Sequence, residues 1–234
     1  MRTLANEVPG KVLLLGVTRG LTDLDCDLTA IDRAETLFQS QWPGTTARRR
    51  AVVGDWLSPP FGAGTFATCV SDGAFNTLTY PDGVRSLLNA TLPLLRPGGR
   101  FISRVYTSPD AAEAVDTIAQ LTWEGRFKEF QSLKFRLGMA IAAANGSANI
   151  AVKAIHRAFE TSFPDRDKLS AATGWSRAEI NTIDLYAGTS IEYSFPTRRQ
   201  ILSTIPTGFC HGRFISTKPY ELSEFYPILV AERR

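Results

Sequence analysis

One glycine and three carboxylates, each just past a short apolar run, are the residues of this chain best placed to do chemistry. Gly16 follows the run 11–15, Asp32 the run 28–31, Asp55 the run 50–53 with Gly54 between, and Asp72 the run 66–71. A glycine in such a place lets bare backbone approach a ligand. A carboxylate can accept from both hydroxyls of a ribose, which suits Asp32. It can also accept from the amino group of an adenine, which suits Asp55. Trp56, next in the chain, offers a flat apolar face to a ring. Arg104 and Tyr106 share one face of a strand, being two residues apart. An arginine in a buried strand is costly unless paired, so Arg104 either binds an anionic substrate group or pairs with Asp72. Phe75, Asn76 and Tyr80 follow Asp72 in a loop, with Phe75 an equal candidate for a loop anchor.

Strands must hold these residues. The apolar runs have the continuous texture of strands buried on both faces. Residues 34–41 read as a helix halted by Trp42-Pro43-Gly44. Residues 81–95 read as an amphipathic helix, with Pro81 in its first turn. Arg96-Pro97-Gly98-Gly99 reads as a tight turn before a fifth strand over 100–106. This alternation predicts an α/β fold: a doubly wound, Rossmann-like, mostly parallel sheet with right-handed crossovers. Ligands of open parallel sheets bind beyond the strands' C-terminal ends, where the glycine and the carboxylates stand. The link from Gly16 to the second strand is close to the dozen or so residues a parallel crossover needs. Its helix must be about two turns or irregular.

After Pro109 helical patterns dominate, at 111–121, 127–144, 150–159, 165–173 and 197–203, with the stretch 177–185 and a turn-rich stretch at 186–196 before the last of them. Strand patterns at 209–216 and 227–232 close the chain. The expected organisation is one domain: a core over 10–108, a helical lid or insertion over 110–205, and a terminal antiparallel pair over 208–233 that completes seven strands.

The order of these strand ends resembles the class I S-adenosylmethionine (SAM)-dependent methyltransferases. The run from Val12 through Gly16, Val17 and Thr18 to Gly20 sits where that family has its glycine-rich first motif. Ala30-Ile31-Asp32-Arg33 looks like the ribose-binding second motif, and Gly54-Asp55-Trp56 like the adenine-contacting third. Ser71-Asp72-Gly73 matches the fourth. Leu94-Leu95-Arg96-Pro97-Gly98-Gly99-Arg100-Phe101 is similar to the motif before the fifth strand and is the most specific of the set. The resemblance covers residues 10–106. It implies that SAM is the cofactor and S-adenosylhomocysteine (SAH) the product. The contacts would be Gly16, Val17, Thr18, Asp32, Arg33, Gly54, Asp55, Trp56, Asp72 and Gly73. A small-molecule acceptor would enter above Asp72, Arg104 and Tyr106. Leu14 stands where the family has an acidic residue, and Thr18 where it has its second glycine. That acid normally helps hold the amino group of the cofactor's methionine end, so here the contact must come from elsewhere.

Composition narrows the alternatives. Three widely spaced cysteines and two histidines argue against a metal site. The cysteines read as reduced, and the N-terminus lacks a secretory leader, so a cytoplasmic protein is expected. No apolar run approaches the roughly 20 residues of a membrane span. The net charge of +3 is mild, and Arg48-Arg49-Arg50 reads as solvated charge rather than a nucleic-acid patch. Residues 168–180 have the glycine-centred look of a helix-turn-helix, but Glu179 and Asp184 suit a DNA reader poorly. His211 reads as a strand histidine rather than a base, and His156 as a surface residue. A homodimer is compatible with the sequence. The other functional readings are a non-catalytic methyltransferase-like binding or scaffold protein, and a nucleotide-dependent oxidoreductase. The latter would want GxGxxG spacing, which Gly-Val-Thr-Arg-Gly lacks.

Overall fold

The computed structural model describes every residue but Val8 and Lys218, and of Asn6 the backbone alone. Four strands form the parallel heart of the sheet: β1 (Val12–Leu15), β2 (Leu28–Asp32), β3 (Arg49–Val53) and β4 (Phe66–Asp72). A fifth, β5 (Leu95–Arg104), adds in parallel to β4. Two short strands, β6 (Asn149–Ala151) and β7 (Glu192–Ser194), pair only with each other. The last two, β8 (Phe209–Ile215) and β9 (Ile228–Arg233), run antiparallel at the far edge. The main sheet has seven strands in the order β3-β2-β1-β4-β5-β9-β8, a Rossmann-like doubly wound arrangement.

β1 is buried over its whole length, as its apolar run requires. Alternation sends Leu13 and Leu15 to one face and Val12 and Leu14 to the other. The crossovers are uneven. Between β1 and β2 there is one 3₁₀ turn, Arg19–Leu21, shorter than the two turns the sequence allows. Between β3 and β4 no helix forms at all. On the face of Val12 and Leu14, the N-terminal helix α1 (Arg2–Asn6), Leu21 of the 3₁₀ turn and the loop residue Leu24 cover what a crossover helix would cover. On the face of Leu13 and Leu15, Trp56 and Phe61 pack beside α3 (Asp82–Thr91). Only α2 (Glu35–Gln41) follows β2, and it buries none of its residues. Sequence patterns gave no sign of α1 or of the β6–β7 pair. Residues 150–159 divide into the end of β6 and a helix rather than forming one helix.

The segment between β5 and β8 carries α4 (Val115–Trp123), α5 (Phe130–Ala144), α6 (Val152–Ser162), α7 (Arg166–Thr173), α8 (Arg177–Asn181) and α9 (Arg198–Thr204). Most of them share an apolar core of their own, with Leu133, Leu137, Ile155, Phe159 and Phe195 inside it. Buried positions Val152, Ile155 and Phe159 give α6 one apolar stripe. Asp165 caps α7 by accepting from the amides of Asp167 and Lys168.

Asn76 ties this segment to the sheet. Its amide donates to the carbonyls of Tyr106 (3.0 Å) and Ser194 (2.6 Å), and its oxygen accepts from Tyr106 N–H (3.1 Å). Ser194 Oγ donates to the Phe75 carbonyl, and Phe75 itself is buried in a stacked pair with Phe101. Asn149 brackets Tyr80 in the same way, accepting from its N–H and donating to its carbonyl. Phe75, Asn76 and Tyr80 are therefore ties between layers rather than groups facing a ligand.

The Arg96-Pro97-Gly98-Gly99 string is a bulge inside β5 rather than a turn before it. The register jumps from Phe66↔Leu95 to Thr68↔Arg100. A Cβ on Gly99 would lie 2.7 Å from the Arg96 carbonyl oxygen and 3.0 Å from that of Ala67. Backbone on both sides cannot yield. Gly99→Ala is expected to destabilise the protein by about 1–3 kcal/mol, read as a lower urea midpoint at unchanged slope.

Candidate functional site

Parallel register lines up the residues singled out above. Leu15 stands opposite Ile31 on one side and Ser71 on the other. One residue further along, Gly16, Asp32 and Asp72 occupy neighbouring strand ends, and Gly54 and Asp55 follow β3 beside them. Gly16 has φ +90°, a conformation that L side chains rarely adopt.

Asp32 is buried, with 7% of its surface exposed. Its Oδ1 accepts from Ala34 N–H at 2.8 Å. Its Oδ2 lies 3.7 Å from where a Cβ on Gly16 would be, and among the described residues it has no hydrogen-bond partner. Asp55 is already engaged: Oδ1 accepts from Leu57 N–H at 2.9 Å, and Oδ2 from the Arg33 guanidinium. The Leu57 amide and then Arg33 hold its carboxyl below the usual range. Asp32, Arg33, Asp55, Trp56, Thr77 and Leu78 line a cavity of about 180 Å³. Thr77 and Leu78 were not singled out from the sequence; only their place after Asp72-Gly73 hinted at them.

The Trp56 indole does not simply flank this cavity. From beyond β3 it reaches across the end of β2, where Nε1 donates to the Ile31 carbonyl at 2.8 Å. Its Cζ2 comes within 3.5 Å of the Cβ position of Gly16. Gly54 packs on Ile31.

Asp72 and Arg104, paired across the β4–β5 register, form a bidentate ion pair. Arg104 Nε and Nη2 each donate to one Asp72 oxygen at 2.6 Å. Burial disfavours the Arg104 charge, but Asp72 outweighs it and holds the guanidinium ionised. Of the two fates expected for Arg104, the structure shows the pairing. Both residues line a second cavity, of about 410 Å³, with Thr18, Thr217 and Tyr220. Thr217 Oγ1 is buried without a partner among the described residues. Thr217 and Tyr220 come from the β8–β9 connection, where no sequence pattern marked them. Val17 is buried.

Tyr106 lies past the end of β5, its ring against Gly73 and packed on Phe135 and Tyr226 at centroid distances of 4.8 Å. Burial raises its phenol pKa. His211 sits at an exposed bulge of β8 with φ 54°, far from the row of strand ends. His156, with Glu160 and Asp184, forms the one potential metal-ligand group among the described residues. Arg166 already bridges Glu160 and Asp184, so their charge is answered within the fold. In the helix-turn-helix-like stretch, Arg177 pairs with Asp167.

Comparison by sequence finds no matching family model and no matching curated protein. Comparison by structure finds the fold many times. A Rhodobacter sphaeroides protein assigned to the Zn-dependent alcohol dehydrogenases is 11% identical, with TM-score 0.61, covering 99% of this chain and 87% of that one. An S-adenosylmethionine-dependent methyltransferase from Mesorhizobium loti is 13% identical, with TM-score 0.57, covering 99% and 95%. The 1,6-didemethyltoxoflavin-N1-methyltransferase of Burkholderia thailandensis, solved with its substrate and SAH, is 15% identical, with TM-score 0.51, covering 98% and 73%. At these identities the likeness establishes the fold. Among the described residues no helix is long and apolar enough to cross a membrane.

Two outcomes follow from the ion pair and its neighbours. Arg104→Met should cost about 2–3 kcal/mol, less than the 3–5 of a fully buried pair because Arg104 is 34% exposed. Adding Asp72→Leu should recover part of that loss, seen as strong non-additivity in a double-mutant cycle of urea midpoints. The phenols of Tyr106, Tyr186 and Tyr226 are raised by burial. The unfolded chain then ionises first, near pH 10. Their contribution to stability is whole below about pH 10 and falls as pH rises above it. Urea midpoints should drop between pH 9 and pH 11, and phenolate absorbance from these residues should appear only with unfolding.

Proposed function

We propose that the chain is a SAM-dependent methyltransferase acting on a small-molecule acceptor. The observation that carries this reading is Asp32: a buried carboxylate one strand away from a positive-φ glycine, with Oδ2 free of partners among the described residues, beside the cavity. A ribose diol would satisfy it. Asp55, with Arg33 and the amides around Gly54, would meet the adenine edge, although Asp55 must share its oxygens with Leu57 and Arg33. Most of the structural neighbours named for an activity are SAM-dependent methyltransferases, two of them solved with SAH.

The methionine end has no acid at Leu14. In its place the second cavity offers Asp72 and Arg104, opposite charges for an ammonium and a carboxylate, with the hydroxyls of Thr18 and Thr217 nearby. SAM, when bound, supplies a methyl group already activated by its sulfonium. The protein's part is to orient the acceptor and exclude water. Tyr106, covered by Phe135 and Tyr226, closes the floor beside Gly73. No histidine stands among the strand ends to act as a base, which fits an acceptor that arrives deprotonated or loses its proton to solvent.

A second reading, a methyltransferase-like protein that binds without catalysis, draws on the Trp56 indole lying across part of the cleft and on the missing helix after β1. Calorimetry separates the parts of the proposal. Wild-type protein should bind SAH, and Asp32→Ala should weaken it by about tenfold to a hundredfold, the worth of one or two charge-assisted hydrogen bonds. Asp72→Asn should weaken SAH while leaving 5′-deoxy-5′-methylthioadenosine, which lacks the amino-acid end, unchanged. No heat with either ligand would refute the nucleoside site. Binding without turnover across acceptor libraries would favour the second reading.

A further inference from the structure

The second cavity meets one partner of the Asp72–Arg104 pair more than the other. The Arg104 side chain is 34% exposed and that of Asp72 only 8%. Both Asp72 oxygens are engaged by Nε and Nη2 of Arg104. The guanidinium keeps its outer edge, with Nη1, for the 410 Å³ space that Arg104 lines. One wall of that space is the connection between β8 and β9, which supplies Thr217 and Tyr220. The Tyr220 hydroxyl stands beside the guanidinium and favours its charge. A phenol in that place can accept from the arginine and donate its own proton to a ligand. Thr217 adds a second hydroxyl.

The connection is held from its far side. Glu221, next to Tyr220, accepts from the amides of Lys128 at 2.7 Å and Glu129 at 2.9 Å, just ahead of α5. A carboxylate suits the start of a helix, and Glu129, the N-cap residue, makes no capping bond with its own side chain. Leu222 has φ 60°, uncommon for a residue with a bulky side chain, and is buried in the core of the helical segment. The Tyr220 ring lies 6.2 Å from that of Tyr226, centroid to centroid.

We infer that the β8–β9 connection determines which ligand tail the protein accepts: Tyr220 and Thr217 complete, on the outer edge of Arg104, a subsite for a carboxylate, and Glu221 is the positioning residue that holds Tyr220 there. This rests on the nucleoside reading of the strand ends. Of the two charges at the tail end, the ligand meets the arginine, because Asp72 is covered and engaged. The class of ligand selected is a nucleoside whose side chain ends in a carboxylate, with the ammonium dispensable.

The test is calorimetry on the full chain with four probes. SAH carries both tail charges, and 5′-deoxy-5′-methylthioadenosine carries neither. The 5′-(3-carboxypropylthio) analogue of 5′-deoxyadenosine keeps only the carboxylate, and the 5′-(3-aminopropylthio) analogue only the ammonium. The carboxypropyl compound should bind about as tightly as SAH. The aminopropyl and methylthio compounds should bind about tenfold to a hundredfold more weakly, the worth of hydrogen bonds to a charged group. Tyr220→Phe should weaken SAH and the carboxypropyl compound by about twofold to tenfold, one hydrogen bond, and leave the methylthio compound unchanged. Glu221→Ala should do the same in the wild type and add nothing in the Tyr220→Phe background, because it acts through the phenol. An aminopropyl compound that matches SAH, or a carboxypropyl compound no better than the methylthio one, overturns the carboxylate subsite while the nucleoside reading stands. Unchanged SAH affinity in Tyr220→Phe overturns the part of the connection. A Glu221→Ala that lowers the urea midpoint but binds all four probes as wild type does makes Glu221 a helix cap alone and overturns its positioning role. If none of the four binds, the nucleoside reading fails and the subsite falls with it.

Discussion

Parallel pairing of β1 with β2 and with β4 is the constraint on which the rest depends. In a parallel ladder all strands finish on one side, and the register decides which residues come level there. Leu15 faces both Ile31 and Ser71. Everything chemical in the molecule is consequently displaced by one residue: a turn at Gly16, a carboxylate at Asp32 and a carboxylate at Asp72. A slip of one position would exchange the two faces of β1, which pack into different apolar clusters, Leu13 and Leu15 in one and Val12 and Leu14 in the other. The burial that stabilises the sheet therefore also sets the spacing of the site.

The same sheet is sparsely covered. Doubly wound folds usually place a helix after each strand, and here two of those helices are absent or reduced to a single 3₁₀ turn. The apolar faces still need burial, and short pieces supply it: α1 and Leu24 on one side, Trp56 and Phe61 on the other. This brings a large aromatic ring to the strand ends in the first place. Economy in the crossovers and crowding of the cleft have one cause.

Much of this was legible in the sequence because it depends on local patterns. Continuous apolar runs identified the strands, and acidic residues just beyond them identified the row of strand ends. The Asp72–Arg104 pair was one of two expected outcomes, since a cation in a buried strand must find a partner. Other features were not legible, for physical reasons. The Arg-Pro-Gly-Gly string looks like a turn by composition; only the register across to β4 shows a bulge, and register is a tertiary property. Residues 149–151 and 192–194 are too short to carry a strand pattern. Thr217 and Tyr220 reach the second cavity by the path of the β8–β9 connection, which no local signal encodes. The direction of the Trp56 indole depended on a helix that does not form, and an absent element leaves no pattern.

The bond from Asn76 to Ser194 joins residues 118 apart in the chain, and the pair Ser71–Ser103 joins residues 32 apart. These separations set how much chain must be gathered before each contact can close. The β1–β4–β5 centre can form from nearby stretches, whereas the edge made by β8 and β9 must wait until the whole helical segment has come and gone. Closing so long a loop costs little more entropy than closing a short one, but it slows the search. Until it closes, the outer edge of β5 is an open row of backbone donors and acceptors, available to any other strand. In the folded chain β9 covers that row, and the edge of the sheet passes to β8, a strand broken by a bulge.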